Sequence, residues 1–405
     1  MAYVPPHKRH NKDKDKDAQL PSPQLLPPHL KKNPSLNPQN SYATRSGKII
    51  YAEKAISRWF AVGLDDNSQL PPSVQLRPVS LESIERKIGE KPLVLVQSCQ
   101  LTGDSAVTCT RSPAEIIAEN VLQDLLSSFE NVRSQMQVPP SEEVKPTLVA
   151  RFGKVLFHGR PFAAQEAMQK GFAAGIKLGH LKRSFYTNIP TLYMEKLTSE
   201  DSPKIGFDFE EEKDVFHVKL SDANRPDATI SCKCRVIEEH KRLQMYKIEL
   251  NQVRHMVTDV SSLSKNLDLR LMLCSKRILT ALRDDEMQCI QDLIHSAILD
   301  PNVKGGLRWT LGKTSSGDRF SVVGVWHTIT KAYRTPSLRL KVRHADRFDF
   351  RISTGETASE AYLKLKGIVS ESQVEKVDIS LISKMLEQEL RLIWDHFLNC
   401  VHYLG

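Results

Sequence analysis

The stretch Leu338 to Ile352, LRLKVRHADRFDFRI, limits what this chain can fold into more than any other. A β-strand turns successive side chains to opposite faces. With that period, Leu338, Leu340, Val342, His344, Asp346, Phe348, Phe350 and Ile352 fall on one side. Arg339, Lys341, Arg343, Arg347 and Arg351 fall on the other, with Ala345 and Asp349 between them. The spacing predicts a strand with one face packed on a core and a second face carrying a row of cations. Such a row contacts nucleic-acid phosphate or lies in water.

The net charge of +9 is unevenly spread. Residues 1–45 hold eight Lys/Arg against three Asp, which is +5, leaving +4 for everything after them. Residues 327–351 hold seven Lys/Arg against two Asp, again +5, so the remainder is slightly acidic. A concentrated charge makes a local field that attracts phosphate, whereas a diffuse excess mainly gives solubility.

The chain divides into four parts. Residues 1–45 form a basic, proline-rich tail, with eight of the 22 prolines and too few aliphatic groups to offset the entropy of ordering. Residues 46–77 are a tethered segment and linker, whose run Ile49–Val62 is dense in apolar and aromatic groups and is expected to pack onto the main body. Residues 78–200 read as α/β. Within them Ser112-Pro113-Ala114-Glu115 starts a helix with a capping box, its apolar stripe running from Ile117 through Val121, Leu125, Phe129 and Val132 to Met136. A helix over 161–176 is also expected. Residues 201–405 are β-rich and close on an amphipathic helix using Ile382, Leu386, Ile393 and Trp394. The fold class is α+β: mixed or antiparallel sheets with flanking helices. A weak internal repeat is suggested by Val253-Arg-His255 beside Val325-Trp-His327 and by Leu269-Arg-Leu271 beside Leu338-Arg-Leu340.

Tyr3-Val-Pro-Pro-His7-Lys8-Arg9 is a short linear motif that its prolines hold extended. It resembles the Tyr-x-Pro-Pro-His-x-Arg element in the tails of Ded-type DEAD-box RNA helicases. The resemblance implies docking to translation or RNA-processing proteins through Tyr3, Pro5, Pro6, His7 and Arg9. The segments MAYVPPHKRH, SGKIIYAEKAISRWFAVG, KLSDANRPDATISCKC and SLRLKVRHADRFDF together resemble a family of plant proteins. That wider resemblance implies no activity, fold or catalytic residue.

Catalytic signals are few. Gly312-Lys313-Thr314 lacks the first glycine of a phosphate loop, since position 307 is Leu, and a strand rather than a helix is expected to follow. His327-Thr-Ile329-Thr lacks a hydroxyl at 329. The seven cysteines lack zinc-ligand spacing and suit a reducing compartment, so no metal or cofactor is expected. The run Phe207 to Asp214 carries five carboxylates, expected in a solvated turn that could also face the basic strand and neutralise it. No stretch has the ~18 consecutive apolar residues of a membrane span, and the cytoplasm or nucleus is expected. Three readings stay open: an RNA-associated, non-enzymatic adaptor whose basic strand binds phosphate; a protein-interaction scaffold; and a phosphate-ester enzyme using the strand histidines His255 or His327.

Overall fold

The computed structural model describes residues 49–64, 74–97, 111–136, 142–159, 178, 181–226, 228–317, 319–374, 376–400 and 403–404. The tail with its Tyr3–Arg9 motif and the helix expected over 161–176 lie outside the described residues.

The strands are β1 (Ile50–Val62), β2 (Val74–Pro78), β3 (Leu93–Gln97), β4 (Glu142–His158), β5 (Lys182–Tyr186), β6 (Asp208–Asp222), β7 (Thr229–Ile237), β8 (Arg242–Glu249), β9 (Val253–Ser262) and β10 (Asp268–Leu279). After them come the short β11 (Ile298–Leu299), β12 (Leu307–Arg308) and β13 (Ser315–Ser316), then the long β14 (Phe320–Arg334), β15 (Leu338–Asp349) and β16 (Thr354–Leu365). The longer helices are α1 (Glu82–Ile88), α2 (Pro113–Gln135), α3 (Thr191–Lys196), α4 (Asp284–His295), α5 (Lys366–Ser372) and α6 (Ile379–His396).

Eight strands close on themselves in the order β4-β10-β8-β7-β6-β14-β15-β16, and β16 pairs back onto β4 through Tyr362↔Arg151. Every pairing around this barrel is antiparallel. The seam between β10 and β8 is short, Ile278↔Glu249, because most of that edge of β10 pairs with β9 instead. The segment expected to pack onto the main body does so as a strand, with β1 running parallel to β9. The boundary expected at residue 200 falls between staves of this one barrel, since β4 pairs with both β10 and β16.

The barrel is apolar outside and polar inside. Alternation alone permits either arrangement; the helices decide it. On one side Leu338, Leu340, Val342, Leu363 and Leu365 pack against α6 through Ile382, Leu386 and Ile393, and the same cluster takes in the α2 stripe. On the other, Val218, Leu220, Ile230 and Cys232 pack against Ile290, Leu293 and Ile294 of α4. Apolar outer faces are thus buried under helices, and the alternate residues can only point inward.

Local signals in α2 hold at its start. Ser112 accepts from the Glu115 amide and Glu115 accepts from the Ser112 amide. The stripe is buried as far as Val132, but Met136 lies past the helix end and is 40% exposed. Helix α4 stops at His295, and Ile298–Leu299 forms β11. The suggested repeat does not carry through to register. His255 sits at an irregularity between the Met256↔Leu273 and Arg254↔Cys274 pairs, whereas His327 stands directly opposite Asp346.

α6 also buries a carboxyl that its apolar stripe conceals. Glu389 is 6% exposed and neither carboxyl oxygen has a hydrogen-bond partner. Burial pushes its pKa up to about 8. The folded state therefore keeps a proton that the unfolded chain releases near 4.5, and stability falls as pH rises from about 4.5 to about 8. The slope approaches about 1.4 kcal/mol per pH unit inside that window. Glu389→Gln should flatten the profile and Glu389→Leu should raise the Tm at pH 8. Denaturant unfolding of the three proteins across this range checks it, and identical profiles would contradict it.

Candidate functional site in the barrel interior

Ladder partners share a face, so register shows what lines the interior. Lys219, Ser231 and Glu249 are successive neighbours on β6, β7 and β8. His217, Lys233 and Lys247 form the next row, and Trp326 links His217 to Arg347. On the opposite wall Arg343 faces Glu360, Arg339 faces Lys364, and Lys341 faces Tyr362, which in turn faces Arg151.

Four of the five cations of the expected row therefore come together, but inside a barrel rather than on an open sheet. Arg351 does not join them. The strand ends at Asp349, and Arg351 turns back onto that carboxylate at 2.8 Å. The acidic run read as a solvated turn is the first half of β6, hydrogen-bonded to β14. It does neutralise part of the row: Arg339 pairs with Glu210 at 2.5 Å and Glu211 at 2.6 Å.

Deeper in, one carboxylate serves three arginines. Glu360 has a side chain 4% exposed, bonds Arg343, takes Arg347 at 2.7 Å and lies 4.0 Å from Arg151. Burial alone would raise its pKa, yet Arg343, Arg347 and Arg151 hold it well below the usual carboxylate range. Glu249 is likewise pulled down, by Lys276, Lys233 and Lys247, with the last two at 2.9 and 2.8 Å.

These glutamates do not use up the donors. The buried Nε–H groups of Arg151, Arg343 and Arg347 have no acceptor among the described residues. Lys276, Lys341 and Lys364 have no ion-pair partner within 4 Å there, and Lys219 reaches only Ser231 Oγ, at 2.9 Å, and the ring of Trp326. Burial, then repulsion from Lys233 and Arg343, brings the Lys219 pKa down to about 7 despite Glu249. Lys364 falls to about 8 through burial and through Lys341, Arg339 and Lys233, although Tyr362 opposes the shift. Burial would raise Tyr362, but Arg343, Lys341 and Lys364 outweigh it and pull the phenol down to about 8. Lys364 on β16 feels Lys233 on β7, and Lys219 on β6 feels Arg343 on β15. Those strands do not pair, so the cations converge across the lumen.

Lys219, Lys233, Lys276, Lys364 and Arg151 are not in the expected row. Period-two alternation marks several of them, as in Phe216-His-Val-Lys219-Leu and Tyr362-Leu-Lys364-Leu, but only closure of the barrel brings them to one place.

The candidate catalytic histidines lie elsewhere. His255 is 1% exposed and bonded to Ser275, while His327 is on the outer face, stacked on Phe216 and 2.7 Å from Asp214. They share no pocket. His327 and His344 border an outer cleft of about 490 Å³, on the other side of β15 from its arginines. Among the described residues no group of three or more His, Cys, Asp or Glu could hold a metal ion. None of the described helices is long and apolar enough to cross a membrane.

The model of a domain of unknown function, DUF7903, matches residues 43–397. The chain belongs to the DUF7903 family. No curated protein matches it. Among solved structures it is similar to the S. pombe RNA triphosphatase Pct1 in complex with the Spt5 CTD, at 10% identity and a TM-score of 0.41, covering 69% of this chain and 89% of that one. It is also similar to the Mimivirus capping enzyme triphosphatase, at 10% identity and a TM-score of 0.33, covering 68% and 98%. Likenesses this distant do not bear on the site.

Proposed function

We propose that this protein binds RNA through phosphate groups that enter the barrel, rather than by laying a backbone along an open strand. The observation that carries this is the set of buried arginine Nε–H donors and unpaired lysines converging on one lumen. Buried donors without acceptors are rare, because each costs desolvation that nothing returns. A phosphate group supplies oxygen acceptors and negative charge together, and arginine forks match it.

Size narrows the ligand. The interior of an eight-stranded barrel holds side chains or one small ligand. A duplex does not enter, and the end of a single strand does. The strand expected to bind backbone phosphate is here part of the wall of a pocket for terminal phosphates.

The experiment compares short single-stranded RNAs carrying a 5′-triphosphate or a 5′-hydroxyl. The triphosphate form should bind more tightly, and its affinity should fall by about 0.7 log units per tenfold rise in salt for each neutralised phosphate. It should fall as pH rises through about 7. Lys219 gives up its proton there in the free protein and must regain it to meet phosphate. Equal affinity for the two RNAs would overturn the lumen reading.

The glutamates favour one rival, a scaffold whose interior charges serve only each other. It requires that neither RNA bind.

A further inference from the structure

We infer that the lumen's ligand is a nucleoside 5′-oligophosphate whose base stacks on Tyr246 at one mouth of the barrel; this rests on the lumen reading above. Tyr246 interrupts the ladder between Lys233↔Lys247 and Cys234↔Met245, the irregularity of a β-bulge. A bulge re-aims side chains. Here Met245 packs with the outer core, while Tyr246 lies close enough to Glu249 and Glu211 to feel both charges. Both belong to the polar face, so Tyr246, midway along β8, stands on that face toward the end of the barrel that Glu211, near the start of β6, marks.

Tyr246 is 45% exposed, a large aromatic surface left to water. The Arg235 guanidinium lies 5.5 Å from its ring centroid. An aromatic ring beside a cation is what single-stranded nucleic-acid sites use to hold a base. Trp326 and Tyr362 also line the lumen but are unsuited, because two cations already contact each ring: Lys219 at 4.3 Å and Arg347 at 5.0 Å on Trp326, Arg151 at 5.5 Å and Arg343 at 5.8 Å on Tyr362.

Charge gives the polarity of the ligand. The interior is cationic, but this mouth is bordered by Glu210 and Glu211, which hold Arg339. Carboxylates disfavour phosphate and accept from the amino and imino groups of a base. The phosphate chain therefore ends where the acidic border begins, and the neutral nucleoside occupies the mouth.

The test uses the full chain and titrates tripolyphosphate, ATP, GTP and a 5′-triphosphorylated dinucleotide. The nucleoside triphosphates should bind roughly tenfold more tightly than tripolyphosphate, the increment expected of one stacked base. Tyr246→Ala should bring them to the tripolyphosphate level, and Tyr246→Phe should not, because the ring carries the effect. The dinucleotide separates the two sources of this chemistry: tighter binding than ATP or GTP identifies an RNA end, weaker binding a free nucleotide, and either supports the nucleoside site. Tripolyphosphate binding as tightly as the nucleotides would overturn the inference and leave the lumen reading standing. Failure of all four to bind would remove both.

Discussion

Replacing Glu360 with glutamine should destabilise the free protein by about 3–5 kcal/mol, the usual cost of leaving a buried charge without its partner, and should tighten its hold on phosphate. Glu360 is the carboxylate shared by Arg343, Arg347 and Arg151. Without its charge the three guanidinium groups repel one another in a confined space. The same loss frees them for an incoming anion, so added tripolyphosphate should restore most of the lost stability. The pH dependence has a definite sign. The folded pKa of Glu360 lies well below its usual 4.5, so its contribution is present above about pH 4.5 and is lost as pH falls toward the folded value. The gap between wild type and variant should close in acid. Denaturant unfolding with and without tripolyphosphate measures all of this. A variant as stable as wild type, with unchanged affinity, would contradict it.

The two faces of β15 were legible because alternation is a local property of a strand. Leu338, Leu340 and Val342 are buried against helices, and the arginines between them point the other way. What the arginines point at was not legible. Closure depends on β4 meeting both β10 and β16, pairings between residues more than a hundred apart in sequence. No local pattern distinguishes a polar face turned to bulk water from one turned to a lumen.

Arg351 was misplaced because the pattern cannot show where a strand stops, and this one stops at Asp349. The run from Asp208 to Asp214 looked like a turn because dense charge disfavours strands. It is a strand because β14 supplies a full partner edge and Arg339 takes two of its carboxylates. Glu389 gave no signal, since a single acid beside an apolar stripe is usually at the solvent edge of a helix.

The lysines that the sequence left scattered allow the more decisive experiment. Lys219 and Lys364 sit in the lumen without ion-pair partners, and burial with like-charged neighbours brings their pKa values to about 7 and about 8. A depressed lysine pKa means that the folded state disfavours the charge. In the wild type stability should therefore rise with pH from about 7 toward the ordinary lysine value of 10.5. Exchanging both residues for glutamine removes that cost together with two charge-assisted contacts to phosphate. Each such contact contributes about 1.5–3 kcal/mol, so affinity for tripolyphosphate should drop by at least about 100-fold.

Thermal unfolding of the full chain and of Lys219→Gln/Lys364→Gln at pH 7, with and without tripolyphosphate, tests the lumen site most directly. A variant that melts above wild type when free, and whose melting no longer shifts with tripolyphosphate, is the expected result. A variant that melts lower and keeps the full ligand shift would contradict it, placing these lysines in the wall's own structure and the phosphate somewhere else.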